Sequence, residues 1–341
     1  MASFANPEEI ACVGRVKNEE DIIYFCLENL YSYGVKQFVI ADNDSKDRTK
    51  DEIYRFRDDH PDVRLFLVDD FRENMSFNNQ SNTQTALSDF AAGIFKAKWI
   101  IPIDADDFVY IPGDVTVDLD DFNVDFVQLD WIHVHPIQFQ NMSIPEFMQM
   151  EPLVGTQSST KVGKVIFRWH HDIVVETGQH RVYSKTGRIL VGMRGKFLGL
   201  ACAHFPVRSR EKFEAKLDNI TRHRRTFEHW RRITEAAGGR QKLIEVLWSG
   251  NAEDFSAICE NLGLPPKNVG YMYDLFVRKE HEVFEPNIVD DPHAFGTPKL
   301  YIVGSKDPLQ PKSTNTFRSF VVSLRRAANR VSQRIPRLFG V

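Results

Sequence analysis

The chain has few cysteines, only 4 in 341 residues. Cys12, Cys26, Cys202 and Cys259 are far apart, none belongs to a C-x-x-C pair, and each has apolar neighbours. This spacing argues against a small fold held by disulfides and against a cysteine zinc site. We therefore expect four core side chains in a protein of a reducing compartment.

Long apolar runs are also missing. No stretch approaches the roughly 18 uninterrupted apolar residues that a membrane-spanning helix needs. The first residues, MASFANPEEIACVGRV, lack a basic segment followed by an apolar one. The sequence therefore predicts a cytoplasmic protein. With 42% apolar residues, it can bury the core of one large domain and a smaller annex.

Acidic residues are missing from the last part of the chain. One lysine and six arginines follow Pro308 without any aspartate or glutamate, although the whole chain has a net charge of −4. Apolar residues recur there at helical spacing, which is typical of an amphipathic helix on anionic lipid. We expect an anionic membrane surface, and no nucleic acid, as its partner, with the protein peripheral at the inner face of the cell membrane. The alternative is a terminal helix docked on the acidic remainder of the chain.

The first hundred residues alternate short apolar strands with amphipathic helices. Strands are predicted over 10–16, 36–41, 63–68 and 99–103, and helices over 18–33, 47–59 and 82–95. Strands separated by helices imply crossover connections, so the sequence predicts an α/β fold of Rossmann type with a mostly parallel sheet. Asn18 is expected to cap the first helix, and Gly34 to end it.

The pattern changes after about residue 126. The segments FVQLDWIHV, KVIFRW and HRVYSKTGRILV predict an antiparallel extension of the sheet, and a helical region over 209–233 with shorter helices follows. We therefore predict four parts: the nucleotide-binding α/β domain over 1–206, a helical region over 207–285, a linker over 286–312, and the basic tail helix over 313–341.

Three polar clusters directly follow predicted strands. They are R-V-K-N after the first strand, A-D-N-D-S-K-D around the end of the second, and D-A-D-D after the fourth. Ligands of open α/β sheets collect at the carboxyl ends of the strands. Asp104 and Asp106 repel each other unless a positive charge sits among them, and oxygen ligands favour Mg²⁺ or Mn²⁺ over zinc. The alternative is an acidic turn that caps a helix.

Other polar residues are candidates for a nucleotide ligand. Asp42 and Asp44 are expected to accept hydrogen bonds from a nucleobase or a ribose, or else to form an Asx turn. His204 is the expected third metal ligand, the alternative being a semi-buried structural histidine. Arg208 is expected to hold a diphosphate group. Three further donor-binding candidates lie at the end of the first strand or directly after it, namely Arg15, Lys17 and Asn18.

The segment VGRVKNEEDIIYFCLENLYSYGVKQFVIADNDSKDRT, followed by WIIPIDADDF, resembles the N-terminal half of family-two glycosyltransferases of the GT-A fold. The likeness is greatest to a bacterial branch that begins with R-x-K-N-E, and it covers about residues 10–110. It implies a nucleotide-sugar donor, a Mn²⁺ or Mg²⁺ ion on the D-x-D motif, and transfer to a hydroxyl of a glycan or glycolipid. By position, Asp42 or Asp44 would contact the nucleobase, Asp104 the ribose or the metal, and Asp106 the metal.

The resemblance fails at the catalytic base. The E-D pair that the family carries near a late helix is missing from the expected position, yet a group must take the proton of the acceptor hydroxyl. We predict Asp172, because two histidines and Arg168 nearby mark a polar patch. The alternatives are Asp130, Glu151 and Glu176, or a surface turn without catalytic role at Asp172.

Two other functions are alternatives to glycosyl transfer. A nucleotidyltransferase normally has a glycine-rich basic loop after the first strand, whereas G-R-V-K-N-E-E-D is not glycine-rich. A protein of the same fold that binds a glycan or a nucleotide sugar without catalysis is the other alternative, because the usual base is missing.

Overall fold

The computed structural model describes residues 2–70, 77–134, 143–148, 156–157, 163–222, 228–249, 251–263 and 288–289. It divides into two compact units. Unit 1 comprises the described residues within Met1–Leu129, Gly163–Leu200 and Pro286–Val341, and unit 2 comprises those within Asp130–Val162 and Ala201–Glu285. The predicted tail and all of the predicted linker except 288–289 lie outside the described residues, and the predicted domain boundaries stay predictions.

The secondary structure alternates over the first hundred residues and changes afterwards. The strands are β1 (Ser3–Phe4), β2 (Ile10–Val16), β3 (Gln37–Asp42), β4 (Arg64–Asp69), β5 (Trp99–Ile103), β6 (Asp107–Tyr110), β7 (Thr116–Val117), β8 (Phe126–His133), β9 (Thr156–Gln157), β10 (Gly163–Arg168), β11 (Ile173–Val175), β12 (Val182–Ser184), β13 (Gly192–Arg194), β14 (Ala201–His204) and β15 (Ile288–Val289). The α-helices are α1 (Ile23–Ser32), α2 (Thr49–Asp59), α3 (Phe77–Phe95), α4 (Ile144–Met148), α5 (Arg210–Arg222), α6 (Glu228–Ala236), α7 (Arg240–Ser249) and α8 (Ala252–Asn261).

The main sheet of unit 1 has the strand order β15-β13-β8-β10-β5-β2-β3-β4. β2 pairs in parallel with β3 and with β5, and β3 pairs in parallel with β4. Helices α1, α2 and α3 connect these four strands in turn. The predicted α/β fold with a mostly parallel sheet is therefore confirmed. β10 is antiparallel to β5, as predicted for the extension, whereas β13 runs parallel to β8.

The strand order reverses between β2 and β5. The chain leaves β2 toward β3 on one side and returns as β5 on the other. The register places Val16 opposite Asp42, and Gly14 opposite Ile103. The segments after β2, β3 and β5 therefore leave the sheet at the same edge. In open α/β sheets, this is the position where ligands bind.

The helix predicted over 18–33 begins later than expected. α1 starts at Ile23 and has no side-chain N-cap, so the prediction that Asn18 caps it is wrong. Asn18 has a left-handed backbone with φ of 56°, which asparagine tolerates better than most residues. Its Oδ1 accepts a hydrogen bond from the N–H of Lys46 at 2.8 Å, so it ties two loops together. Gly34, with φ of 95°, follows the end of α1 as predicted.

Each unit has its own apolar core. One core cluster of unit 1 lies between the sheet and α3, and includes Val13, Val39, Leu87, Ile100 and Phe167. The core of unit 2 is formed by α5 to α8 and includes Phe213, Ile233, Leu243, Leu247 and Phe255. All four cysteines are buried and free, which confirms their predicted role as core side chains. Each helix of the described residues is too short or too polar to cross a membrane.

Unit 2 combines short strands with helices. β14 pairs in parallel with the part of β8 that begins at Asp130, and β9 pairs with the same part of β8 in the antiparallel sense. The helical region predicted over 209–233 coincides with α5 and most of α6, and α7 and α8 follow. Helices predicted beyond residue 263 lie outside the described residues.

Candidate functional site

The segment 104–107, which we call the acidic turn, joins β5 to β6. The N–H of Asp107 donates to the carbonyl of Asp104 at 3.1 Å, and the buried thiol of Cys26 lies 3.4 Å from the carbonyl of Asp107. A carboxylate oxygen of Asp106 and one of Asp107 lie within 4.8 Å of each other. This is close enough for both to bind one cation. Carboxylate oxygens are the ligands that Mg²⁺ and Mn²⁺ prefer, so the donor set of the turn fits the predicted cofactor.

A lysine that sequence analysis missed lies among these carboxylates. The Nζ of Lys164, whose side chain is 4% exposed, is 2.6 Å from Oδ2 of Asp104 and 2.8 Å from Oδ2 of Asp107. Burial lowers the pKa of Lys164, but the charges of Asp104 and Asp107 outweigh this effect, so the pKa lies well above its usual value. The signal in the sequence was a lysine directly before the apolar residues of a strand, Val165 to Phe167.

The carboxylates of the acidic turn repel one another. Desolvation raises the pKa of Asp104, the charge of Lys164 opposes this shift, and the charges of Asp107 and Asp106 add to it. Oδ1 of Asp104 accepts a hydrogen bond from Nε2 of Gln179 at 3.2 Å. Both oxygens of Asp104 therefore have protein partners. The surplus of negative charge at the turn favours a bound cation.

The donor-binding candidates at the end of β2 differ in exposure. Arg15 is buried, and its Nε lies 2.7 Å from Oδ2 of Asp70 while its Nη2 donates to Oδ1 of Asn43 at 2.9 Å. Its guanidinium thus connects the ends of β3 and β4. Lys17 and Asn18 are exposed. Their contact with a donor stays a prediction.

Two buried polar atoms at the end of β3 have no hydrogen-bond partner among the described residues. They are Oδ1 of Asp42 and Nδ2 of Asn43. The other oxygen of Asp42 accepts from the N–H of Ser45 at 3.2 Å. Asp44 has φ of 57° and pairs with Lys46 at 2.6 Å, in an exposed turn. Buried polar groups are almost always hydrogen-bonded, so these two atoms offer an acceptor and a donor to a ligand. The contact of Asp42 or Asp44 with a nucleobase stays a prediction.

Asp172 lies at the opposite edge of the sheet from the acidic turn. β10 is antiparallel to β5, with Arg168 opposite Trp99, and the N–H of Trp169 donates to the carbonyl of Lys98 at 2.8 Å. The residues after β10 are therefore beside the beginning of β5, whereas the acidic turn follows its end. The catalytic role of Asp172 stays a prediction, and this position does not favour it.

The contacts of Asp172 instead hold a hairpin together. Its carboxylate is 2.6 Å from Nδ1 of His170, and it accepts hydrogen bonds from the hydroxyls of Thr186, at 2.8 Å, and of Ser184. Desolvation raises the pKa of Asp172, but these three hydrogen bonds outweigh it, and the pKa lies well below its usual value. A carboxylate in this setting is a weak base, and it ties together the hairpin of β11 and β12.

We expect Asp172→Asn to lower the free energy of unfolding at pH 7. We also expect this free energy to fall less steeply with acid than it does in the wild type. At pH 7, the loss of charged hydrogen bonds costs roughly 1–3 kcal/mol. The depressed pKa stabilises the fold above the ordinary aspartate pKa of about 3.9, and this contribution disappears as the pH falls through the folded-state value. Urea unfolding between about pH 6 and pH 2 should therefore show a steeper loss for the wild type. Parallel curves for the two proteins would contradict this account.

The other base candidates lie in different places. Glu176 begins the turn 176–180, is partly exposed, and has its Oε2 3.8 Å from Nε of Arg181. The same turn contains Gly178, whose carbonyl accepts from Nζ of Lys164 at 2.9 Å. Glu176 is thus linked to the acidic turn within unit 1. Asp130 lies on β8 in unit 2, and Glu151 lies outside the described residues.

The remaining two predicted site residues belong to unit 2. His204, the last residue of β14, is buried, and its ring stacks on that of Trp131 with centroids 4.7 Å apart. Arg208 is partly exposed and precedes α5. The metal-binding role of His204 and the diphosphate-binding role of Arg208 stay predictions.

Comparison with known proteins finds distant structural likeness only. No family model matches the chain, and no curated protein matches it. A mannosyltransferase from Pyrobaculum calidifontis, solved with GDP-mannose and Mn²⁺, is similar at 14% identity over 75% of this chain and 74% of that chain, with a TM-score of 0.33. Glucosyl-3-phosphoglycerate synthase from Mycobacterium tuberculosis, solved with Mn²⁺, UDP and glucosyl-3-phosphoglycerate, is similar at 13% identity over 47% of this chain and 56% of that chain, with a TM-score of 0.25. Likeness at these scores carries no argument, and the proposals below depend on the site itself.

Proposed function

We propose that this chain is a metal-dependent glycosyltransferase of the GT-A fold. It moves a sugar from a nucleotide-sugar donor to a hydroxyl group of a glycan or glycolipid acceptor. The observation that carries the proposal is the acidic turn at the edge where the strand order reverses between β2 and β5. Such an edge is where α/β sheets bind nucleotides, and adjacent carboxylates there suit a divalent cation.

Mn²⁺ or Mg²⁺ at the acidic turn would stabilise the charge that develops on the diphosphate as its bond to the sugar breaks. Asp104, Asp106 and His204 are the proposed ligands, and Asp107 is added because its carboxylate lies within 4.8 Å of that of Asp106. Arg208 is proposed to bind the diphosphate, since a guanidinium offers paired donors to phosphate oxygens.

Asp42 and Asn43 are proposed to bind the nucleobase. Oδ1 of Asp42 is an acceptor and Nδ2 of Asn43 is a donor, and both are buried without partners among the described residues. Uracil and guanine each carry a ring N–H, which an acceptor such as Oδ1 of Asp42 can bind, and a carbonyl oxygen, which a donor such as Nδ2 of Asn43 can bind. A bound base would satisfy both atoms.

The reaction transfers one sugar and one proton. The acceptor oxygen forms a bond to the anomeric carbon, the bond from that carbon to the diphosphate oxygen breaks, and the nucleoside diphosphate leaves. Glu176 is the proposed base that takes the proton of the acceptor hydroxyl, because its turn contacts Lys164 of the acidic site and its side chain is 46% exposed. A single displacement of this kind inverts the configuration of the sugar.

The proposed acceptor and location follow from the sequence alone. The basic segment 313–341 has the composition of a helix that binds anionic lipid. We infer that it holds the enzyme at the cytoplasmic face of the membrane, where polysaccharides and glycolipids are assembled.

A panel of nucleotide sugars tests this function. With Mn²⁺ present, one donor at about 100 times its Kd should raise the Tm by roughly 5–10 °C. Slow release of nucleoside diphosphate from that donor should require Mn²⁺ or Mg²⁺. A Tm shift without release would indicate a non-catalytic binding protein. Release of pyrophosphate from a nucleoside triphosphate and a sugar phosphate would indicate a nucleotidyltransferase.

A further inference from the structure

The ammonium group of Lys164 is surrounded by oxygen atoms. In addition to the carboxylates of Asp104 and Asp107, its Nζ donates to the carbonyl of Gly178 at 2.9 Å and to Oε1 of Gln179 at 2.7 Å. An ammonium group has three N–H donors, so these four oxygens saturate it. A buried charge with a complete set of partners holds the groups around it in fixed positions.

The turn that contacts Lys164 has an unfavourable backbone. Gln179 has φ of 54° and Gly178 has φ of 78°, and the left-handed region is costly for a residue with a Cβ atom. Gln179 is fully buried, and its amide contacts both Lys164 and Asp104. A strained residue persists where its contacts enforce it, and such residues cluster at functional sites.

We propose that Lys164 is a positioning residue of the acidic turn. Its ammonium group fixes the orientations of Asp104 and Asp107 and compensates part of their charge, so that the turn keeps its shape before a cation arrives. Gln179 completes the arrangement by holding the second oxygen of Asp104. That a cation and a sugar donor then bind at the turn rests on the proposed function, whereas the positioning of the carboxylates by Lys164 does not.

Removal of the ammonium group should destabilise the protein strongly. Lys164→Met keeps most of the volume of the side chain and leaves two carboxylates without their cation. We expect a fall in Tm of roughly 5–15 °C in EDTA. Lys98 serves as the matched control. It directly precedes β5, it pairs with Asp120, and its side chain is 39% exposed. Lys98→Met should lower the Tm by at most about 3 °C.

A double variant separates positioning from simple packing. If Lys164 acts through the charge of Asp107, Asp107→Asn in the Lys164→Met background should restore at least half of the lost Tm. If the loss does not depend on the charge of Asp107, the two substitutions will lower the Tm additively, and this result would overturn the proposal. Should Lys164→Met give no folded protein, recovery of folded protein in the double variant supports the proposal, and failure of both contradicts it.

Mn²⁺ alone is the second probe. A divalent cation should replace the missing charge, so Mn²⁺ should raise the Tm of Lys164→Met at least twice as much as that of the wild type. An equal rise in the two proteins would count against the charge-compensating role of Lys164. No rise in either protein would contradict the metal site of the proposed function, while the double variant in EDTA still decides the role of Lys164.

Discussion

Replacement of Asp106 by asparagine is expected to abolish the metal-dependent release of nucleoside diphosphate from the sugar donor. Asp106 is partly exposed and lies within 4.8 Å of Asp107, at the edge where the sheet binds ligands. The metal is worth several kcal/mol to the departing diphosphate, so the rate should fall by a factor of about 10³ or more. The measurement is the initial rate of diphosphate release at saturating donor and Mn²⁺.

A matched control makes this result specific. Asp58, on α2, is 65% exposed and pairs only with its neighbour Arg57 among the ion pairs described for it. Asp58→Asn should leave both the rate and the Tm within error of the wild type. Full activity in Asp106→Asn would refute the metal assignment. A Tm of Asp106→Asn close to that of the wild type would show that the lost rate does not result from unfolding.

Glu176→Gln is expected to have the second-largest effect. A base in the transition state is worth about 10²–10⁴ in rate, and glutamine keeps the shape of the side chain while it loses the basic oxygen. Because Glu176 takes no part in donor binding in our proposal, the affinity for the nucleoside diphosphate should not change. Single-turnover transfer to an acceptor, together with equilibrium binding of the diphosphate, separates these two quantities.

Asp172→Asn is the rival variant for the same step. Asp172 follows β10, beside the start of β5, so its loss should affect stability and leave the rate per folded molecule unchanged. The opposite pattern, with full activity in Glu176→Gln and none in Asp172→Asn, would return the base to Asp172 and contradict our assignment.

Local sequence patterns were sufficient to predict the parallel half of the sheet. Apolar runs of five to seven residues, separated by amphipathic helices, predicted β2 and β5 with the bounds that the structure has. The acidic turn was found for the same reason, because a D-x-D pair directly after a buried strand is a local signal. The predicted cap at Asn18 failed, since the residue adopts a left-handed turn that connects to Lys46.

Contacts between distant segments were not predictable. Lys164 is 60 residues from Asp104 in the chain, and only the antiparallel pairing of β10 with β5 brings them together. That pairing also explains the position of Asp172. The sequence indicated a polar patch around this residue, but the direction of β10 decides at which edge of the sheet the patch lies. Gln179 gave no signal at all, because its backbone conformation is unusual for glutamine.

The central claim is that the acidic turn binds a divalent cation together with the diphosphate of a nucleotide. Titration calorimetry of the nucleoside diphosphate identified by the panel, with Mn²⁺ and with EDTA, tests it most directly. We predict binding that is at least about tenfold tighter with Mn²⁺ in the wild type, a difference of about 1.4 kcal/mol, and no such difference in Asp106→Asn. Equal affinity with Mn²⁺ and with EDTA in the wild type would contradict the account.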